Sequence, residues 1–241
     1  GAQYGTDFSL RPDLVTQPLP SVSGSAQVPS GVDLLIDNRP VGSAQVGPGN
    51  YTLDQLPGVT GAGEIRVVQR DLLGVERVQV VPYYSSPRLL RQGLREHCVE
   101  AGVLRRGYAS ASDTYGGGFV AGSLRHGLSD TLTLLGRAEM GQAVRAVHLG
   151  AHWVVAGAGV LSLQLGRSQA DGAGAGQRTA IGFERVARAG SLSATIETAG
   201  TGFRSLDGSR LPQRRATLFA GTSIGQTSLS AGLVWQRGAQ G

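Results

Sequence analysis

From about residue 94 the chain alternates between apolar and polar positions. Leu132, Leu134, Gly136, Ala138 and Met140 fall on one side of an extended strand. Thr131, Thr133, Arg137 and Glu139 fall on the other, with Leu135 an exception. Val147, Leu149, Ala151, Trp153 and Val155 oppose His148, Gly150 and His152, and Leu161, Leu163 and Leu165 oppose Ser162 and Gln164. Ile181 and Phe183 oppose Arg178, Ala180, Gly182 and Glu184. Leu192, Ala194 and Ile196 oppose Ser193, Thr195 and Glu197, and Leu229, Ala231, Leu233 and Trp235 oppose Ser228, Ser230 and Gln236. A period of two marks strands with one apolar and one polar face. A strand of ~10 residues is ~33 Å long. Tilted near ~45°, it crosses an apolar band of ~25 Å.

Tight turns are expected at Gly127-Leu128-Ser129-Asp130, Gly157-Ala158-Gly159 and Gly225-Gln226-Thr227, and longer polar loops at Ser168 to Gly176 and Gly202 to Arg214. Short turns at one rim and longer loops at the other are the outer-membrane barrel pattern. The apolar face recurs over strand after strand with no second apolar layer to meet it, so lipid is the surface it fits. Trp153 and Trp235 then belong near the membrane interfaces.

The first third differs. Nine prolines lie at or before Pro87 and only Pro212 follows, which calls for short strands and many corners. Residues 1–20 form an entry segment: Gln3 to Leu10 ends a strand and Pro12 to Pro20 is an extended linker. Residues 21–84 are a compact sandwich of roughly seven short strands, the spacing of an Ig-like domain. Its strands are Ser23 to Val28, the Val32/Leu34/Ile36 alternation, the Tyr51/Leu53 pair, Ile65 to Gln69 and Val75 to Val81. Turns fall at Asp37-Asn38, Gly47-Pro48-Gly49, Gly58 to Gly63 and Asp71 to Gly74. Residues 85–241 carry the alternating strands. The fold class is therefore all-β, an Ig-like sandwich followed by antiparallel transmembrane β-barrel strands.

Composition sharpens this picture. Glycine supplies 38 of 241 residues, a density helices do not tolerate. The longest apolar stretch, Trp153 to Leu161, is broken by Gly157 and Gly159, so no membrane-crossing helix is expected. Gly1 opens the chain without a basic start and apolar run, so no signal peptide is expected. The net charge is +5 with no lysine. Arginine is scattered and aromatics are 5%, which argues against nucleic acid as a partner. The lone Cys98 has His97 beside it, which a strand turns to the opposite face.

Candidate chemistry is thin. His126, Ser129 and Asp130 are triad residue types, but Gly-Leu-Ser-Asp reads as a hairpin turn. His148 and His152 have helical metal-ligand spacing, yet on a strand they sit ~13 Å apart. The glycine runs at 116–118 and 172–176 lack the lysine a P-loop needs. No cofactor, metal or catalytic group is expected, and the chain is not read as an enzyme.

Several segments taken in order resemble one family. Val22-Ser23-Gly24-Ser25-Ala26 is similar to the start of the plug domain of outer-membrane fimbrial ushers. Gly47-Pro48-Gly49-Asn50-Tyr51 running to Asp54-Gln55-Leu56 resembles its Pro-Gly-aromatic segment, and Thr60-Gly61-Ala62-Gly63-Glu64 its glycine turn. Val67 to Asp71, Glu76 and Val80-Val81-Pro82-Tyr83 resemble the closing strands. Leu89 to Gly93 and Val99 to Val103 resemble the return into the barrel. Arg125 to Thr133 resembles the hairpin around Tyr-Gly-Leu-Ser-Asp, with His126 at the aromatic position.

The resemblance implies an internal part of a pore that assembles and secretes pilus subunits delivered by a periplasmic chaperone. The sandwich would gate the channel as a plug. Outer-membrane lipid is an implied partner, as are usher domains outside this sequence: an N-terminal periplasmic domain, two C-terminal ones and the remaining strands. The resemblance alone implies that the strands here make an incomplete barrel. Arg137, Glu139, His148, His152, Arg178, Glu184 and Glu197 would face the lumen. The pairs Arg137 with Glu139 and Arg178 with Glu184 would meet plug residues Arg70, Asp71, Glu76 and Arg77 to hold the gate shut. A general porin or autotransporter barrel, and a soluble all-β adhesin or ligand-binding module, are the alternatives.

Overall fold

The computed structural model describes residues 1–11, 13–54, 56, 60–105, 115–155 and 157–238. Of the positions named above, Pro12, Gln55 and Gly58 lie outside these. The elements are β1 (Ala2–Gly5), a 3-10 turn (Phe8–Leu10), β2 (Val22–Ala26), β3 (Ser30–Ile36), β4 (Arg39–Val46), β5 (Gly49–Leu53), β6 (Gly61–Asp71), β7 (Glu76–Ser85) and β8 (Arg95–Arg105). They continue with β9 (Tyr115–Ser129), β10 (Leu132–Gly141), β11 (Val144–Val155), β12 (Gly159–Ala170), β13 (Gly174–Ala187), β14 (Gly190–Ala199), β15 (Arg214–Ile224) and β16 (Thr227–Arg237).

Three sheets result. β2 pairs with β5, β4-β3-β6-β7 form a second sheet, and β1-β8-β9 through β16 form a ten-stranded antiparallel meander. The two small sheets pack around Val22, Val32, Leu34, Ile36, Ile65, Val67 and Tyr83, all buried. The alternation along β3 fixes this face: Val32, Leu34 and Ile36 are buried and Asp33 is exposed. Asp37 and Asn38 both take positive φ, the primed turn that matches strand twist and suits those residue types. The sandwich has six strands rather than the roughly seven short ones expected, because β6 and β7 run 11 and 10 residues. Pro82 does not interrupt β7, which pairs only with β6 and is an edge strand.

The ten-stranded sheet is unclosed: β1 and β16 are its edges. Its two rims differ. At one, here called the root rim, the connections after β9, β11, β13 and β15 are all short. The sandwich is inserted between β1 and β8 at this rim. The other, the loop rim, carries the long connection from Gly200 to Gln213 between β14 and β15. The second long loop, expected at Ser168 to Gly176, is instead a tight turn. β12 runs to Ala170 and β13 starts at Gly174, with Gly172 and Gly174 in the left-handed region.

Candidate functional site

Strand register sorts the side chains of the large sheet onto two faces. Glu100 is opposite Ala121, which is opposite Glu139, and onward through Ala146 to Ser168. Arg137 is opposite His148, then Gly166, then Arg178. Glu197 is opposite Ala180 and so Gln164. His152 and Glu184 share this face through Ser162 and Ser193. The structure thus brings Arg137, Glu139, His148, His152, Arg178, Glu184 and Glu197 onto one surface. Leu135 is on it as well, opposite Gly150.

Charges on this face are paired across strands. Arg125 reaches Glu96 at 2.6 Å. Arg137 donates to Glu139 at 2.6 Å and to Glu100 at 2.5 Å. Arg178 takes Glu197 at 2.7 Å, because the register brings Glu197 beside Arg178 across β13 and β14. His152 Nδ1 bonds Ser162 Oγ at 2.8 Å. Among the described residues no cluster of His, Cys, Asp and Glu has the geometry of a metal site. The triad types are dispersed too: the His126 ring bonds the Leu94 carbonyl, and Asp130 accepts from the Gln92 amide.

The opposite face is apolar and open. Leu149, Trp153, Leu163, Ile181, Ile196 and Leu233 are each 41–65% exposed. Trp153 lies two residues from the end of β11 at the root rim. Trp235 lies two residues from the end of β16 at the loop rim.

Two segments fold onto the polar face. The first is the return linker from the sandwich, in which Ser85, Ser86, Leu89 and Leu90 are buried. The Leu90 amide donates to the Oγ1 of fully buried Thr133 at 2.8 Å, and Arg88 grips Glu184 at 2.8 Å. A Cβ on Gly127 would collide with the Leu90 and Arg91 carbonyls, so the crossing needs glycine there. The incoming linker runs alongside: the Arg91 amide donates to the Thr16 carbonyl and Ser85 Oγ to that of Pro18. The second segment is the long β14–β15 loop. Its Phe203 is 2% exposed, set edge-on to His148 and seated over Gly176. The Arg204 amide donates to buried Ser168 Oγ. The long loop was expected at Gly202 to Arg214, but no periodicity marks its packing onto the polar face, which the sequence reading missed.

The sandwich meets the sheet at its root. Tyr84 hydroxyl donates to the Glu184 carbonyl and accepts from the Val186 amide at 3.0 Å. Burial pushes the Tyr84 phenol up, so it keeps its proton and both bonds. Arg188 pairs with Asp37 at 3.2 Å. Gly61, with φ of 105°, passes so close that an added Cβ would lie 2.7 Å from the Val186 carbonyl oxygen. The four plug residues expected to meet the sheet are elsewhere. Arg70 pairs with Glu76 inside its own hairpin, Asp71 caps that hairpin through the Leu73 and Val75 amides, and Arg77 is opposite Gln69. They occupy the end of the β6–β7 ladder opposite Tyr84, ~25 Å away along the strands.

The family described as "Usher: Outer membrane usher protein" matches residues 1–192. Outer membrane usher protein FimD of Escherichia coli K12 is 27% identical over 68% of this chain and 18% of its own. The F1 capsule-anchoring protein of Yersinia pestis is 28% identical over 86% and 25%. This chain therefore spans about a quarter or less of those relatives. Its fold is like that of the P pilus usher (PapC) translocation pore, with a TM-score of 0.53, 21% identity, and coverage of 95% of this chain and 49% of that one. It is also like a chain of the Escherichia coli P pilus tip assembly intermediate PapC-PapD-PapK-PapG, with a TM-score of 0.66, 20% identity, and coverage of 99% and 31%. A match over most of its length, with a sandwich inserted between neighbouring strands of a one-sided apolar sheet, makes this chain a member of the outer-membrane usher protein family.

Proposed function

We propose that this chain supplies part of the wall and the gate of an outer-membrane pore that assembles and secretes pilus subunits brought by a periplasmic chaperone. One observation carries the reading: the 22–85 sandwich is inserted between two directly paired strands, β1 and β8, with both linkers lying together at one rim. A domain tethered so moves as a body without breaking the sheet's ladder. The polar face, with Arg137, Glu139, His148, His152, Arg178, Glu184 and Glu197, lines the lumen. Its neutralised charges leave a wetted wall along which a folded subunit slides. Residues 1–20 and 85–241 belong to the wall and its linkers, and residues 21–84 to the plug.

The hold on the plug is assigned to its root, through Arg88–Glu184, Tyr84–Val186 and Arg188–Asp37. The distal Arg70, Asp71, Glu76 and Arg77 are placed where the plug meets an incoming partner rather than the wall. Chaperone–subunit binding shifts the population toward the released plug. Deleting residues 22–82 from the full-length protein tests this. Planar-bilayer recordings are expected to show large, persistent conductance, and conductance equal to the parent's would sink the proposal.

A further inference from the structure

Arginines stand on both faces of the large sheet, in different company. Those on the polar face at Arg125, Arg137 and Arg178 each hold a glutamate. Among the described residues of β8–β16, every glutamate is on that face: Glu96, Glu100, Glu139, Glu184 and Glu197. The apolar face has no acid, yet it carries arginines at the loop rim. On β11 the outward series Val155 to Val147 ends in Arg145. On β12 Leu161, Leu163 and Leu165 are followed by Arg167. On β15 Arg214 follows Ala216 outward, and on β16 Arg237 follows Trp235. All four are exposed and make no ion pair or hydrogen bond among the described residues. Asp171, in the neighbouring turn, pairs with none of them.

Their placement is pairwise. Arg167 is opposite Val147, and Arg145 is the next outward residue on that strand, so the two guanidinium groups are diagonal neighbours. Arg214 and Arg237 are directly opposite each other. Like charges facing across a ladder repel, and at the edge of an apolar band water does not screen them fully. An anion between each pair removes the repulsion. A guanidinium fork matches phosphate oxygens two at a time, and an arginine stem lies along apolar surface while its head reaches the polar layer.

We propose that the outer face at the loop rim is a docking surface for the phosphorylated glycolipid of the outer leaflet, its phosphates held by Arg145 with Arg167 and by Arg214 with Arg237. The leaflet follows from the rims: short turns face the periplasm and long loops the exterior. The proposal rests on the sheet spanning the outer membrane and not on pilus secretion. The occupant is committed by charge and by position. Acyl chains lie against Leu149, Leu163, Leu165 and Leu233, and the headgroup phosphates meet the arginines just above them.

The test uses the full-length protein in mild detergent, with three probes: a bisphosphorylated glucosamine-disaccharide glycolipid, its dephosphorylated form, and phosphatidylglycerol. Native mass spectrometry counts bound lipid, and tryptophan fluorescence follows unfolding. The bisphosphorylated form is expected to raise the unfolding midpoint by a few degrees. The quadruple variant Arg145→Gln, Arg167→Gln, Arg214→Gln, Arg237→Gln should bind it about tenfold more weakly. Arg95→Gln, an unpaired outward arginine at the root rim, should bind as the parent does. Equal binding of the dephosphorylated form, equal binding of phosphatidylglycerol, or full binding by the quadruple variant each overturns the proposal. If that variant does not fold, the comparison of the three lipids on the parent protein decides alone. A protein that takes up the glycolipid but displays no fibres leaves this inference standing and removes the functional one.

Discussion

Arg88 donates through both Nε and Nη2 to a single oxygen of Glu184, at 3.0 and 2.8 Å. Both side chains remain partly exposed, so the pair is worth about 0.5–1 kcal/mol. That is small for folding but would shift the proposed plug equilibrium several-fold. Arg88→Gln and Glu184→Gln are each expected to raise the open probability of single channels by about threefold, and the double variant by no more than either alone. Strict additivity would show that the two residues do not act on each other. Tyr84→Phe removes one donor and one acceptor from Val186 and Glu184 and should add about 1 kcal/mol toward opening, read the same way. Because burial holds the phenol's titration above its ordinary range, the contribution is full below about pH 10 and falls only as pH rises through the higher folded value. Tyr84→Phe should therefore open the channel by the same factor at pH 7 and pH 9.

How legible were these contacts? Arg137 with Glu139 was visible, since residues two apart on a strand share a face. Arg178 was legible as a polar-face residue but its partner Glu197 was not, because that choice belongs to the register of β13 on β14 and not to spacing along one strand. Arg88 carried no signal at all, for its partner is 96 residues away. The alternation put all seven polar-face residues on one side of their strands and the register gathers them on one surface, yet it left open which segments would cover them.

At the scale of elements, glycines mark where a segment crosses the polar face. Gly127 seats the return linker and Gly176 seats Phe203. In the sequence Gly127 reads as part of a turn and Gly176 as the end of a loop, whereas both are within strands and the crossing segments give them their role. Gly127→Val drives a branched side chain into the Leu90 and Arg91 carbonyls and separates the Leu90 amide from Thr133. Thr133 is fully buried, so an unpaired hydroxyl there costs about 1–3 kcal/mol. The expected outcome is a freed linker: trypsin should cut after Arg88 or Arg91 in the variant and spare both in the parent. Phe203→Ala removes the one fully seated side chain of the long loop, with about 3 kcal/mol of local packing. Cleavage after Arg204 and Arg210 from the outer surface should then accelerate, while the heat-unfolding midpoint of the sheet changes little. Equal cleavage of variant and parent would mean that the Arg204–Ser168 bond alone holds the loop.

The whole molecule joins two bodies of unequal self-sufficiency. The sandwich closes a core around Val32, Ile65 and Val67, which are 0–1% exposed. The large sheet has no opposing layer and leaves two unpaired edges, with β16 exposed along its entire length. In lipid every unpaired backbone group costs several kcal/mol, and in water the open apolar face invites association. The 241-residue chain exported by itself should therefore not migrate as a heat-modifiable monomer on unboiled gels. A longer chain that supplies strands to pair those edges should. Limited proteolysis of the isolated chain should leave a resistant fragment beginning near Val22 and ending near Ser85. Its size separates two causes of failure. A surviving sandwich with a degraded sheet locates the deficit in the unpaired edges. Loss of both would mean that the sandwich needs its root contacts with β13 to fold, and would weaken the case for a plug that moves as a body.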